Sequence, residues 1–348
     1  MNAIVKSSLG LVALAATLAL TTNASGQEEP EDYRQAYGTT AHPDATDLQG
    51  AAAALTPVKP IVVIAKSSYA SGGVGLRNRG AGNISVSGLV GAPTLTFIYW
   101  AVISVGPVPA PATSINVQRL YPIPASAVVN LPGVVVGVGP SPCWNPAGAV
   151  ATITVYRAVV PSPGVAAGNG SYQITLNPGA GGLVNGADPW TAPPVFPLWE
   201  GASLVMVGKG VGTVSVYDAG LAGNTFAPNP PFNYTLVLPI VAPGVRTLFD
   251  NIGADGQHVL GVSRKASTHE SDETTTVNGF LAAGHGSKYI DSDWNGSSAL
   301  PVPELWDDTG HDITPATPAG TAALNFVINS ALAPADCLTP VANVVEED

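Results

Sequence analysis

Beyond residue 60 the apolar positions of this chain fall in short runs, and Gly, Pro and Asn punctuate nearly every one. Short apolar or alternating runs bounded by turn residues predict β-strands. The pattern predicts strands over 61–65, 83–89, 94–104, 115–121, 134–138, 150–157, 172–176, 203–207, 211–217, 234–239, 245–252, 258–263, 274–280, 324–330 and 338–345. The longest, 94–104, places Leu95, Phe97, Tyr99, Ala101 and Ile103 on one face and Ile98, Trp100 and Val102 on the other. A strand apolar on both faces is expected at the centre of a sheet, covered on both sides. No amphipathic segment in the mature chain exceeds about three helical turns, and no fixed-period repeat suggests a solenoid or propeller.

Composition sharpens this picture. The 348 residues include 39 Gly and 32 Pro, which interrupt helices wherever they fall. Hydrophobic residues make up 46% and charged residues 11%, the reverse of a disordered composition. The expected fold is all-β: a large antiparallel β-sandwich or jelly-roll-like domain with few short helices. Gly208-Lys209-Gly210-Val211-Gly212 and residues 179–182 read as glycine-rich hairpin turns rather than phosphate cradles, since no helix is expected to follow them.

Residues 1–26 read as a secretory signal. Lys6 supplies the basic start, residues 9–20 the apolar stretch, and small residues the cleavage region. No later apolar run reaches the ~18 residues that a membrane-spanning helix needs. Residues 27–60 read as a flexible lead-in and 61–348 as the β-sandwich domain, with a subdivision considered near 241–245. The chain is therefore expected to be secreted, extracellular or on a cell surface. Its two cysteines, Cys143 and Cys337, are expected to form a disulfide in an exported chain, the alternative being two buried thiols. Such a long loop, if closed, gains about 4–5 kcal/mol in the chain-entropy account.

Charge is distributed unevenly. Formal net charge is −11, yet no Asp or Glu occurs from Leu48 to Ala187. The charges in that stretch are Lys59, Lys66, Arg77, Arg79, Arg119 and Arg157. Acids concentrate between Asp250 and Asp312. Carboxylates carry most acid–base chemistry and hard-metal ligation, so a site of either kind is expected beyond about residue 200. The sparse basic residues and acidic total oppose nucleic-acid binding.

Several short motifs follow one another along the chain: Cys143-Trp144, Tyr156-Arg157, Gly168-Asn169-Gly170-Ser171-Tyr172, Gly201-Ala202-Ser203-Leu204-Val205, Val216-Tyr217-Asp218-Ala219-Gly220, Gly253-Ala254-Asp255-Gly256-Gln257, Leu305-Trp306-Asp307-Asp308 and Asp336-Cys337-Leu338. In this the chain resembles a family of secreted bacterial surface proteins with a large β-sandwich domain of unassigned function. The resemblance spans most of 68–345. It implies that Cys143 and Cys337 pair, and it comes with no assigned catalytic activity. Relatives carry an acid after the Tyr-Arg-Ala motif, where Val159 and Val160 stand here.

The sharpest local signal for chemistry is Asp291-Ser292-Asp293-Trp294-Asn295-Gly296. Asp291, Asp293 and Asn295 at positions 1, 3 and 5, with Gly296 at 6, match the first half of a calcium loop. Position 12 is Val302 instead of a bidentate Glu, and the alternative is a polar turn. The segment from Leu305 to Thr314 reads as a structural corner with Trp306 in the core, or as a metal or carboxylate site. Trp190, Trp199, Trp294 and Trp306 sit near turns, so Trp294 and Trp306 are candidate sugar-stacking residues, with burial as the alternative. Glu200 and Glu304 form no recognisable glycosidase pair from sequence. Neither a Gly-x-Ser-x-Gly elbow nor a His-Glu-x-x-His motif occurs.

The expected role is a secreted, non-catalytic structural protein that self-associates, with 61–65 considered as a strand that completes a neighbour's sheet. The alternative for that strand is pairing within its own domain. A calcium-assisted polysaccharide-binding adhesin is the second reading of the function, and a secreted hydrolase the third.

Overall fold

The computed structural model describes residues 57–141, 144, 149–187, 189, 192–218, 232–240, 244–254, 273–284, 305–330 and 338–348. Among them the fold is all-β and antiparallel, sandwich-like, with no helix of seven residues or more. The strands of the first half are β1 (Val62–Gly75), β2 (Ala81–Val86), β3 (Leu95–Ser104), β4 (Ser114–Tyr121), β5 (Val129–Pro132), β6 (Val134–Pro140), β7 (Thr152–Val159) and β8 (Gly170–Leu176). Those of the second half are β9 (Leu198–Asp218), β10 (Phe232–Val237), β11 (Thr247–Ala254), β12 (Glu273–Val277), β13 (Phe280–Ala283), β14 (Trp306–Asp312), β15 (Ala323–Ser330) and β16 (Thr339–Glu347).

A large sheet runs β14-β11-β16-β9-β3-β7-β6, and β1 pairs with β9 as its eighth strand. Two four-stranded sheets cover it, β2-β8-β4-β5 and β10-β15-β12-β13. The large sheet joins strands from both sides of residues 241–245.

The expected two-faced strand is where the layers meet. Ile98, Trp100 and Val102 of β3 face a core shared with Ile84, Ile115, Tyr172 and Ile174 of the β2-β8-β4-β5 sheet. Tyr99, Ala101 and Ile103 face a second core with Ile252, Trp306 and Val344. A third core packs Tyr217, Phe249 and Val345 against Tyr234, Leu324 and Phe326 of the remaining sheet.

β9 differs from expectation. The Gly208–Gly212 segment is a bulge inside one 21-residue strand, not a hairpin turn. Both halves of β9 stay paired to β1, which breaks register at the same point, around Ser67. The Ser67 hydroxyl repairs the ladder there: it donates to the Ile64 carbonyl and accepts from the Val214 amide at 3.2 Å. Pairing to Thr213–Val216 also places Val62–Ala65 in the chain's own sheet. The predicted strand 274–280 is likewise two strands. Asn278 (φ 48°) and Gly279 (φ 81°) make the tight turn between β12 and β13, as an Asn-Gly pair favours.

The large sheet curls until β14, at one end, lies over β1 and β9. The Trp306 ring is seated on glycine: a methyl group built on Gly201 would approach it to 2.4 Å, and one on Gly73 to 3.0 Å. Trp100 is seated the same way on Gly133, at 2.5 Å. Large rings therefore interlock with bare backbone, and volume added at those glycines has nowhere to go. Gly201→Ala is expected to destabilise by about 2 kcal/mol through overpacking. Chemical denaturation should show it as a lower midpoint with an unchanged slope.

Candidate functional site

The polar groups that the structure gathers lie in a seam where β14, β11 and β16 pass over β1 and β9. Alternation places Asp250 and Ile252 of β11, Trp306 and Asp308 of β14, and Val344 and Glu346 of β16 on one face. Ile252, Trp306 and Val344 fill the second core, and the acids line its margin. Tyr69, Ser71 and Ser203 meet them from β1 and β9. The Trp306 indole N–H donates to Ser203 Oγ at 2.9 Å. Ser203 and Ser71 in turn hydrogen-bond the Asp308 carboxylate. The Tyr69 amide donates to Glu346 Oε2 at 3.2 Å. At the rim, Arg246 Nη1 lies 2.9 Å from Asp348 Oδ2.

Burial dominates the electrostatics of this seam. It pushes Asp308 up to about 6, against the two serine hydrogen bonds. It raises Glu346 as well, and lifts the Tyr69 phenol well above its ordinary range, with Asp250, Glu346 and Asp308 adding their repulsion. On the opposite face of β16, burial takes Glu347 to about 7. Neither of its carboxylate oxygens has a hydrogen-bond partner among the described residues.

Two further ion pairs tie the first half to the second. Arg77, just beyond β1, reaches the buried Glu200 of β9, and its guanidinium sits 4.3 Å from the Trp144 ring centroid. Arg157 of β7 pairs with Asp218 at the end of β9, where Tyr99 Oη also donates at 2.9 Å. Arg157 stacks over Phe97 at 4.8 Å. A buried pair of this kind adds little net stability, but removal of one partner strands a charge.

The sequence-predicted site residues are dispersed. Trp306 is fully buried and its N–H is engaged, so it presents no stacking face to a sugar; Trp199 is buried too. Glu200 is held in its ion pair rather than beside another acid. The segment expected to be a corner, around Asp307 and Asp308, is strand β14. Cys143, Cys337, Asp291, Asp293, Asn295, Trp294, Trp190 and Glu304 lie outside the described residues. Among the described residues no three His, Cys, Asp or Glu side chains are grouped as a metal would need, and no helix is long and apolar enough to cross a membrane.

Sequence reasoning missed the contribution of β1 and β9 to the acidic seam. The available signal was Ser203 amid the apolar run of β9, and Tyr69-Ala70-Ser71 amid small residues in β1. The seam is a junction of strands in which burial makes the Asp308 and Glu346 carboxyls harder to ionise. Searches with protein-family models and among curated proteins returned no match to this chain.

The raised carboxyls fix the sign of a pH dependence. Asp308 and Glu347 bind protons more tightly folded than unfolded, where each sits near pH 4. Between pH 4 and about 7 the native state therefore holds the extra protons, and stability falls as pH rises through that window. Thermal melting is expected to be higher at pH 5 than at pH 8. Asp308→Asn should flatten this slope and gain on the order of 2 kcal/mol at pH 8. A wild-type melting temperature that rises from pH 5 to pH 8 would contradict it.

Proposed function

We propose that the protein is a secreted, non-catalytic structural component that associates with copies of itself through strand β6. The observation that carries this reading is the state of that strand. Among the described residues β6 is the last strand of the large sheet, paired on one side to β7. Val134, Val135 and Val138 are each more than half exposed, and the strand Val-Val-Val-Gly-Val-Gly-Pro has no charge. Edge strands of monomers are ordinarily blunted by charges, prolines or bulges, because free backbone groups recruit another strand. β6 has a bulge at Val136 and ends in Pro140, but it has no lysine or acid.

The sequence stretch without carboxylates adds to this. β6 and its neighbours β7 and β3 come from it, so two copies meeting edge to edge bring no like-charged carboxylates together there. Interface composition follows the same rule, with charge depleted at the centre. The strand 61–65, first considered for this role, is occupied by β9 on one side, and β6 replaces it in the proposal. Export rests on the signal-like residues 1–26, and the surface role on the motif resemblance. No observation in the described residues favours the carbohydrate-binding or hydrolytic readings over this one.

Light scattering across a concentration series tests the proposal. The wild-type mature protein is expected to grow in mass with concentration, and a Val135→Lys/Val138→Lys variant to stay monomeric with an unchanged melting temperature. A wild-type protein that remains monomeric throughout, or a variant that assembles equally, contradicts it.

A further inference from the structure

Away from β6, one end of the β2-β8-β4-β5 sheet projects apolar side chains into solvent. Ile123 is 81% exposed, Val90 65% and Tyr121 60%. Val90 and Ile123 belong to two loops, 87–93 and 122–128, that flank the turn at 168–170, and Tyr121 ends β4 at the base of the second. Register brings the loop bases together: Val86 pairs with Gly170, and Tyr121 with Ser171. The Asn169 side chain clamps the first loop, with Oδ1 accepting from the Leu89 amide and Nδ2 donating to the Leu89 carbonyl, both at 2.9 Å. The packing is close enough that a methyl on Gly168 would meet the Gly91 carbonyl at 2.8 Å.

The second loop is also held in shape. Ser126 N–H donates to the Arg119 carbonyl and the Arg119 N–H to Ser126 Oγ, each at 2.9 Å. Gln118 donates to the Ser126 carbonyl at 2.9 Å, and Arg119 Nη2 to the Pro124 carbonyl at 3.1 Å. Apolar side chains at loop tips usually fold inward, since exposure gains nothing in water. Here the hydrogen bonds hold Tyr121 and Ile123 outward, so little ordering entropy remains to be lost on contact.

The residues of the tip itself include no acid. Both loops and the 168–170 turn lie within the stretch that has no Asp or Glu, and the loop cation is Arg119. Lys209 stands at the margin, next to Gly208, which packs against Leu89, while Asp348 lies against Gly212 at the far side of the same bulge. The protein as a whole is acidic, at −11. A projecting apolar tip whose own loops have Arg119 at the base and no carboxylate complements an anionic interface that has an apolar interior. It suits a second copy poorly, because two convex tips bury far less than the roughly 1,600 Å² of an ordinary stable interface.

We infer that this end of the molecule, with Val90, Tyr121 and Ile123 as its inserting residues, docks on an anionic lipid surface. Contact would be peripheral: the aliphatic side chains enter the headgroup–acyl boundary, Tyr121 lies at the interface, and Arg119 and Lys209 meet lipid phosphates. The β6 edge is a separate surface, so lipid docking and self-association can succeed or fail independently.

Flotation of the full mature protein with vesicles tests the inference, because assemblies formed without lipid stay at the bottom of the gradient. Vesicles of phosphatidylcholine alone are compared with vesicles that also contain phosphatidylglycerol. The protein is expected to float with the anionic vesicles and to float less at high salt. A Val90→Ser/Ile123→Ser variant, changed only at exposed positions, should bind about tenfold more weakly with the same melting temperature. No flotation of the wild type with anionic vesicles would overturn the inference. So would undiminished flotation of the variant, or a variant that loses self-association while it keeps lipid binding.

Discussion

Burial of β3 and β9 on both faces is the constraint on which the rest of this structure depends. Every residue of β3 beyond Leu95 is buried, and its two faces feed two different cores. A strand of that kind is stable only if a layer is supplied on each side. The β2-β8-β4-β5 sheet supplies one, and the curl of the large sheet supplies the other through β11, β14 and β16. The third core then follows, because the outer face of the curled part must itself be covered. Glycine permits the close approach: Gly201 and Gly73 receive Trp306, and Gly133 receives Trp100.

The same curl explains where the acids sit. Strands β11, β14 and β16 come from the acid-rich part of the chain, and where Asp308 lies they meet the hydroxyls of β1 and β9. Asp308 therefore meets Ser71 and Ser203 rather than another acid across the seam. Burial without a cation alongside leaves it and Glu347 protonated into a range where surface carboxylates are ionised. Arg77 and Arg157, two bases of the carboxylate-free stretch, are used instead to neutralise Glu200 and Asp218 of β9. The charge asymmetry of the sequence thus becomes pairing between the halves of the fold.

Much of the architecture was legible because it rests on local alternation. The two faces of 94–104 separated in the sequence as they do in the structure, and most strands fell within a few residues of their predicted bounds. The failures have physical causes. The sequence of β14 resembles a corner because its inward face has Asp308 beside Trp306, so burial is not marked by an apolar stripe. β9 was split at its glycines because nothing local tells a bulge from a turn; the long partner β1 decides it. β5 is too short, at four residues, to show a period. Among candidate site residues, the burial of Trp306 was foreseeable from its size, but its seat on glycine was not. The pairing of Arg77 with Glu200 depends on two positions far apart in the chain, and sequence alone does not join them.

What the fold leaves open to other molecules is its margin. β3 is enclosed beyond Leu95, while the β6 edge and the loop tip each present several exposed apolar side chains. Native-state hydrogen exchange read residue by residue, at low and high protein concentration, tests this division most directly. The account predicts that amides of β3 and of Leu198–Val207 exchange only through global unfolding at every concentration. The amides of Val134–Gly139 that point away from β7 should exchange quickly in dilute solution and become protected as concentration rises. Protection in β6 that is independent of concentration, or fast exchange within β3, would contradict it.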